Sequence, residues 1–299
     1  MILEVSVIIP TYNRRAMLLE AIHSVLAQNT GAFELIVIDD GSTDGTQNHL
    51  TRFGKTFRFE RIEHCGPAAG RNRGVELARA PLIAFLDSDD LWAPTKLERQ
   101  LAFMRENPGC AISQTDEVWI RNGRRVNPGV RHRKRAGNIF IDSLRTCLIS
   151  MSCTMMRTVL FRSLGGFDEV MLAAEDYDLW LRILIDHEAG LLDEPLVTRR
   201  GGHRDQTSAT TPAIDRFRIL ALTKLLTDDR LSPMRRAAVV EVLAEKCRIY
   251  AGGLARRGRI DQARFYEHIA DQAPNWPPAK IGCAVKSIRS ALHEIPDEC

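Results

Sequence analysis

Apolar and polar positions in the first ninety residues alternate between two rhythms. Val5–Ile9 is a nearly continuous apolar run ending at Pro10-Thr11. Leu18, Leu19, Ile22, Val25 and Leu26 then recur at the spacing of one helix face. A second run, Leu35–Ile38, ends at Asp39-Asp40-Gly41-Ser42, and Phe57–Ile62 alternates as a third strand. Gly66-Pro67 opens a helix, with proline suited to the first helical position. Leu82–Leu86 is a further run, ending at Asp87-Ser88-Asp89-Asp90. Short apolar strands alternating with helices predict an α/β fold around a mostly parallel sheet covered on both faces.

Beyond residue 108 the rhythm changes. Ala111–Ile120 and the segment after Gly123 read as a hairpin with Asn122-Gly123 as its turn. A helix near 139–148, a strand near 152–156 and a helix around 174–187 follow. On that helix Asp176, Trp180, Ile183 and Leu184 share one face, while Asp178 meets Arg182 at i+4 as a surface pair. After Pro212 the pattern is helical throughout, over about 213–227, 233–257, 259–272 and 278–293. The expected organisation is an α/β domain at 1–212 and an all-helical extension at 213–299.

Parallel sheets bind ligands outside the carboxyl ends of their strands. Three runs deliver polar groups to that edge: Thr11, then Asp39 and Asp40, then Asp87, Asp89 and Asp90. Any single aspartate here reads as a loop or cap residue. Five on one rim repel one another and are costly to desolvate, and a bound cation relieves that cost. Oxygen donors of this kind suit Mg²⁺ or Mn²⁺. The glycines of Gly66-x-x-x-Gly70-x-x-x-Gly74 are not a dinucleotide fingerprint, because the first strand–helix turn contains no glycine.

Composition narrows the class. The 299 residues hold 41 Lys+Arg against 38 Asp+Glu, too balanced for a dedicated nucleic-acid protein, and only 6% are aromatic. The positive charge is concentrated in two places. Residues 213–299 carry 15 basic and 11 acidic side chains, and residues 121–136 carry seven Lys/Arg with no acid. That run reads as a solvated loop or as a contact for an anionic acceptor or lipid headgroup. Seven scattered cysteines, an opening Met1-Ile2-Leu3-Glu4 without a signal pattern, and no long apolar stretch point to a reduced, cytoplasmic chain.

The chain resembles the family 2 glycosyltransferases of the GT-A fold over about residues 4–210. The resemblance rests on Val5-Ser6-Val7-Ile8-Ile9-Pro10-Thr11-Tyr12-Asn13, Asp39-Asp40-Gly41-Ser42-Thr43-Asp44, Gly70-Arg71-Asn72-Arg73-Gly74 and Phe85-Leu86-Asp87-Ser88-Asp89-Asp90. Gly165-Gly166-Phe167-Asp168-Glu169 and Glu175-Asp176-Tyr177-Asp178-Leu179-Trp180 complete it, in the family's order.

What this implies maps onto single residues. Pro10, Thr11 and Tyr12 match the loop that holds the nucleoside, and Asp40 matches the aspartate that bonds the uracil edge. Arg71 lies in the segment beside the nucleotide. Asp87 faces the ribose or sugar, and Asp89, the last residue of the DXD motif, binds a divalent metal, Mn²⁺ or Mg²⁺. His203, before Asp205-Gln206-Thr207-Ser208, resembles a late histidine near the metal, and Asp176 matches the catalytic base. The implied activity is inverting transfer of a sugar from a nucleotide-sugar, UDP-linked by analogy at Asp40, to a glycan or lipid-linked acceptor in cell-surface polysaccharide synthesis. A silent nucleotide-sugar-binding or scaffold protein and a nucleotidyltransferase are the alternatives. The C-terminal helices are expected to provide peripheral contact with the inner face of a membrane, or oligomer contact.

Overall fold

Val5, Val7, Ile8 and Ile9 are completely buried, as are Ile36, Val37 and Ile38, so the first two strands are apolar on both faces. Such strands are stable only inside a covered sheet. In the computed structural model, which describes residues 2–203, 211 and 213–293, they form β1 (Val5–Thr11) and β2 (Phe33–Asp39). The remaining strands are β3 (Arg58–Arg61), β4 (Leu82–Phe85), β5 (Leu91–Trp92), β6 (Ile112–Arg121), β7 (Arg124–Val126), β8 (Thr154–Arg157) and β9 (Ala189–Gly201). The sheet order is β3-β2-β1-β4-β8-β6-β9-β5, with β7 paired to β6. β3, β2, β1 and β4 run parallel, while β8 is antiparallel to both β4 and β6.

The register sets up the functional edge. Thr11 lies opposite Asp39, so β1 and β2 stop at one level, while Phe85 lies opposite Ile8, so β4 stops three residues earlier and the Asp87–Asp90 loop follows from there. Helix α1 (Arg15–Leu26) buries Leu18, Ala21, Ile22 and Val25 in the core with Val7, Ile9 and Leu35. α2 (Thr46–Leu50) is short. α3 (Pro67–Leu77) comes unusually close to β1. A Cβ on Gly70 would lie 3.3 Å from Pro10 Cβ, and one on Gly74 would lie 2.4 Å from Ile8 Cγ2. The glycine spacing therefore serves helix–sheet packing. α4 (Lys96–Glu106), α5 (Phe140–Arg145), α6 (Thr158–Ser163) and α7 (Glu175–Leu184) follow.

The hairpin forms where expected, with Asn122 and Gly123 both in the left-handed region, at φ 49° and 74°. β9 and α4 are additions to the elements expected from the sequence. β9 carries Glu194 and Pro195 and pairs with β6 through register shifts at Thr115–Asp116 and Asp116–Glu117, which breaks any simple alternation.

Contacts divide the chain into two compact units, one of 1–139, 148–169 and 187–203 and one of 140–147, 170–186 and 204–299. The first holds the whole sheet. The second combines α5 and α7 with α8 (Asp215–Leu225), α9 (Pro233–Arg256), α10 (Ile260–Gln272) and α11 (Pro278–His293). α9 starts as its sequence dictates, with Ser232 Oγ accepting from Arg235 N–H at 3.3 Å and proline in the first turn. No described helix is long and apolar enough to cross a membrane.

In the first unit one buried ion cluster departs from a solvated-loop reading of 121–136. Lys134 is buried, with its Nζ 3.4 Å from Glu117, and Arg199 approaches the same carboxylate at 3.7 Å. Trp119 Nε1, Ser150 Oγ and Cys153 Sγ donate to Glu117 at 2.8, 2.9 and 3.1 Å. Burial alone pushes this carboxyl upward, but Lys134, Arg199 and the donated hydrogen bonds prevail and hold it at about 2. A depressed pKa stabilises the fold above the unfolded value, and that contribution fades as pH falls from about 4.5 to about 2. It is worth about 3 kcal/mol at neutral pH. Glu117→Gln should lower the urea midpoint at pH 7 and lose less further stability than the parent in that acid window. Equal acid sensitivity in the two proteins would contradict the pairing.

Candidate active site

The first two loops are knitted together before any ligand is considered. Asp40 N–H donates to Thr11 O at 2.8 Å, Asn13 N–H to Ser42 Oγ at 2.8 Å, and Thr43 N–H to Asn13 Oδ1 at 2.7 Å. Asp39 is an internal brace, its Oδ1 accepting from Ser42 N–H at 3.0 Å. Thr11 is buried, and its Oγ1 has no partner among the described residues. Tyr12 projects outward, 41% exposed.

Asp40 is buried and accepts from Cys65 N–H at 2.8 Å and Gly66 N–H at 2.9 Å, with His64 Nδ1 2.8 Å away. Burial raises its pKa, against the pull of these donors. The His64 ring also stacks on Tyr12, with centroids 3.8 Å apart and planes 16° from parallel. His64 therefore joins both nucleoside-loop candidates, a role its sequence position did not signal. Gly41, Arg61, Ile62, Glu63 and His64 line a cleft of about 440 Å³ beside it.

The loop after β4 supplies the acids. Asp87, Asp89 and Asp90 each present an oxygen within 4.8 Å of the others, and they form the one candidate metal cluster among the described residues. The five aspartates read together from the sequence thus separate into two groups, because Asp39 and Asp40 are committed to loop amides. Asp90 is also committed. It accepts from Ser152 Oγ at 2.6 Å and from Arg200 N–H at 2.9 Å, and it anchors the loop. Ser152 Oγ accepts in turn from Asp87 N–H at 3.1 Å. Trp92 is part of this wall, its Nε1 donating to Ser152 O at 2.8 Å.

Asp87 receives Arg71 Nη2 at 2.7 Å, joining two segments proposed for the nucleotide. Asp89 Oδ2 lies 3.0 Å from Arg14 Nη1 and 2.9 Å from His203 Nε2. His203 therefore meets Asp89, and Arg14, which the sequence did not single out, meets it too. Residues 205–208 lie outside the described residues. Burial raises the pKa of Asp89, and the charge of Asp87 adds to it, against Arg14 and His203. Asp90 is raised further by burial and by both neighbours. Packed, desolvated carboxylates of this kind fit a hard divalent cation, with Asp89 and Asp87 as oxygen donors and His203 as a nitrogen donor.

In the second unit, α7 begins after Ala174, held at φ 59°. Asp176 stands half-buried in its first turn. Its Oδ1 accepts from Tyr177 N–H at 2.7 Å, and Cys147 Sγ lies 3.6 Å from Oδ2. Trp180, Ile183 and Leu184 are buried along the helix, in keeping with the inward stripe. Asp178 differs from its expected surface role. It is paired with Arg182 at 2.8 Å but is 2% exposed, because Lys224 of α8 holds its other oxygen at 2.8 Å.

The family model for glycosyl transferase family 2 matches residues 6–165. An uncharacterized glycosyltransferase of Rickettsia felis is 39% identical over 195 residues, covering 64% of this chain but only 32% of that protein. An Escherichia coli relative, the UDP-Glc:alpha-D-GlcNAc-diphosphoundecaprenol beta-1,3-glucosyltransferase WfgD, is 34% identical over 192 residues, 63% of this chain and 73% of its own length. The crystal structure of S. aureus TarS 1-349 in complex with UDP superposes with a TM-score of 0.65 at 18% identity, over 90% of this chain and 92% of that one. The fold is that α/β architecture, with a helical C-terminal region.

Proposed function

This chain belongs to glycosyl transferase family 2, and on that premise we propose that it transfers a sugar from a nucleotide-sugar to a hydroxyl of a glycan or lipid-linked acceptor. The setting is cell-surface polysaccharide synthesis, the donor is UDP-linked, and the anomeric centre is inverted. The observation that carries this reading is the meeting of Asp87, Asp89 and His203 at the sheet edge where the Thr11 and Asp40 loops also end.

In this reading Tyr12 offers the ring face that His64 leaves open to the nucleobase, and Asp40, besides accepting from its two loop amides, accepts from the base edge with a remaining lone pair. Thr11 and the close-packed Pro10 fix the loop that carries Tyr12. Arg71 holds Asp87 toward the ribose or sugar. Asp89, with His203, would hold a divalent metal, which when bound would supply positive charge to the leaving diphosphate. Asp176 takes the proton from the attacking hydroxyl. Attack opposite the leaving group inverts the centre without a covalent glycosyl-enzyme. Residues 1–212 carry this chemistry, and the helices of 213–299 serve peripheral membrane or oligomer contact.

A thermal-shift series with UDP, GDP and dTDP, each with and without Mn²⁺, tests the donor site. UDP with Mn²⁺ should raise the melting temperature most, since a ligand bound only by the folded chain stabilises it. No shift with any nucleotide would overturn the reading.

A further inference from the structure

The segment from Arg121 to Arg135 is fastened on one side and charged on the other. Its fastenings are the Lys134–Glu117 pair, the Gln114 Nε2 bond to Arg135 O at 3.4 Å, and the His132 ring packed 5.4 Å from Trp119. Arg121, Arg124, Arg125, Arg131 and Arg133 are all exposed, and none has an acidic partner among the described residues. Val130, between Arg125 and Arg131 in the chain, is 85% exposed.

This charged face also borders the candidate site. Asn122 N–H donates to Gly201 O at 3.2 Å, and a Cβ on Gly202 would lie 2.4 Å from Asn122 Oδ1. The hairpin turn therefore packs directly against the strand end that delivers His203 to Asp89.

We propose that residues 121–135 dock this chain on an anionic membrane surface, so that a lipid-borne acceptor meets the site at its His203 rim. The acceptor clause rests on the glycosyl-transfer reading; the docking clause does not. Five guanidinium groups within 13 residues, none with an acidic partner among the described residues, repel one another in water, and an anionic surface relieves that repulsion. Clusters of four to eight basic residues are the usual signature of anionic-lipid attraction. The exposed Val130 favours a bilayer over a soluble polyanion, which has no apolar layer to receive it. RNA is disfavoured because Trp119, the aromatic ring of the hairpin, already has His132 and Arg199 packed against it.

The test is co-sedimentation of the full chain with vesicles of phosphatidylcholine alone and of phosphatidylcholine mixed with phosphatidylglycerol. The parent should bind only the mixed vesicles, and should release as salt rises well beyond 0.1 M, where charges farther apart than about 10 Å are screened. Changing Arg124, Arg125, Arg131 and Arg133 to serine should weaken that binding at least about tenfold. Changing the same four to lysine should preserve it. Changing Arg52 and Lys55 to serine, exposed basic residues on another part of the first unit, should leave it unaltered. Absence of vesicle binding by the parent, equal binding by the serine variant of the hairpin, or loss confined to the Arg52/Lys55 variant would each overturn the proposal. So would binding of an RNA homopolymer in place of vesicles. Sedimentation requires no turnover, so vesicle binding by a chain that fails to bind UDP or transfer sugar would overturn the glycosyl-transfer reading and leave docking intact.

Discussion

Asp176→Asn is expected to lower turnover at least about a hundredfold while nucleotide affinity stays nearly unchanged. The substitution keeps the side chain's size and retains an oxygen to accept from Tyr177 N–H, which the parent does at 2.7 Å. It removes only the capacity to take a proton. General-base catalysis contributes about 10²–10⁴-fold, and a loss in kcat without a loss in binding identifies an interaction made mainly in the transition state. Released UDP measured in the presence of acceptor, beside calorimetric UDP binding, separates the two quantities. Near-normal turnover would remove Asp176 from the role of base. Asp178 is a poor substitute, because Arg182 and Lys224 already occupy its oxygens inside the second unit.

Asp89→Ala should abolish the part of nucleotide binding that depends on Mn²⁺. Loss of even an outer partner of a metal ligand commonly costs 10–100-fold in affinity, so loss of the ligand itself should cost at least about a hundredfold. The same change leaves Arg14 and His203 without the carboxylate they share. Asp89→Asn, which preserves volume, therefore serves as the companion variant, and the far-ultraviolet circular dichroism of both should match the parent. Calorimetric titration of UDP with and without Mn²⁺ reads the effect. Retention of full metal dependence in both variants would place the cation elsewhere.

The parallel half of the sheet was legible because β1, β2 and β4 are short apolar runs, each closed by a polar turn. The far side was harder to read. β9 is stabilised by a long parallel pairing with β6 across its bulges, and its Asp193, Glu194 and Pro195 hide the strand from any local pattern. α4 was obscured for a related reason. Its Lys96 is fully buried, with its ammonium 3.7 Å from the Trp92 ring centre, so a charged letter occupies a core position.

The site divides along the same line. Asp87 and Asp89 are visible as a motif, and their strand end follows from the apolar run before them. Arg14 and His64 depend on contacts made across 75 and 24 residues, and nothing adjacent to either marks it. Asp40 and Asp39 look equivalent in sequence. They differ only once the Cys65 and Gly66 amides are folded against one and the Ser42 amide against the other. Asp178 was misplaced on the surface because Lys224, its second partner, comes from another helix.

The central claim, sugar transfer from a nucleotide-sugar, is tested most directly by product identity. UDP-sugars carrying a radiolabel in the sugar are incubated with the full chain, Mn²⁺ and a bacterial membrane-lipid extract. The account predicts free UDP in step with label entering the lipid phase through a new glycosidic bond. Release of labelled sugar 1-phosphate, or no product at all from a chain that still binds the nucleotide, would contradict it.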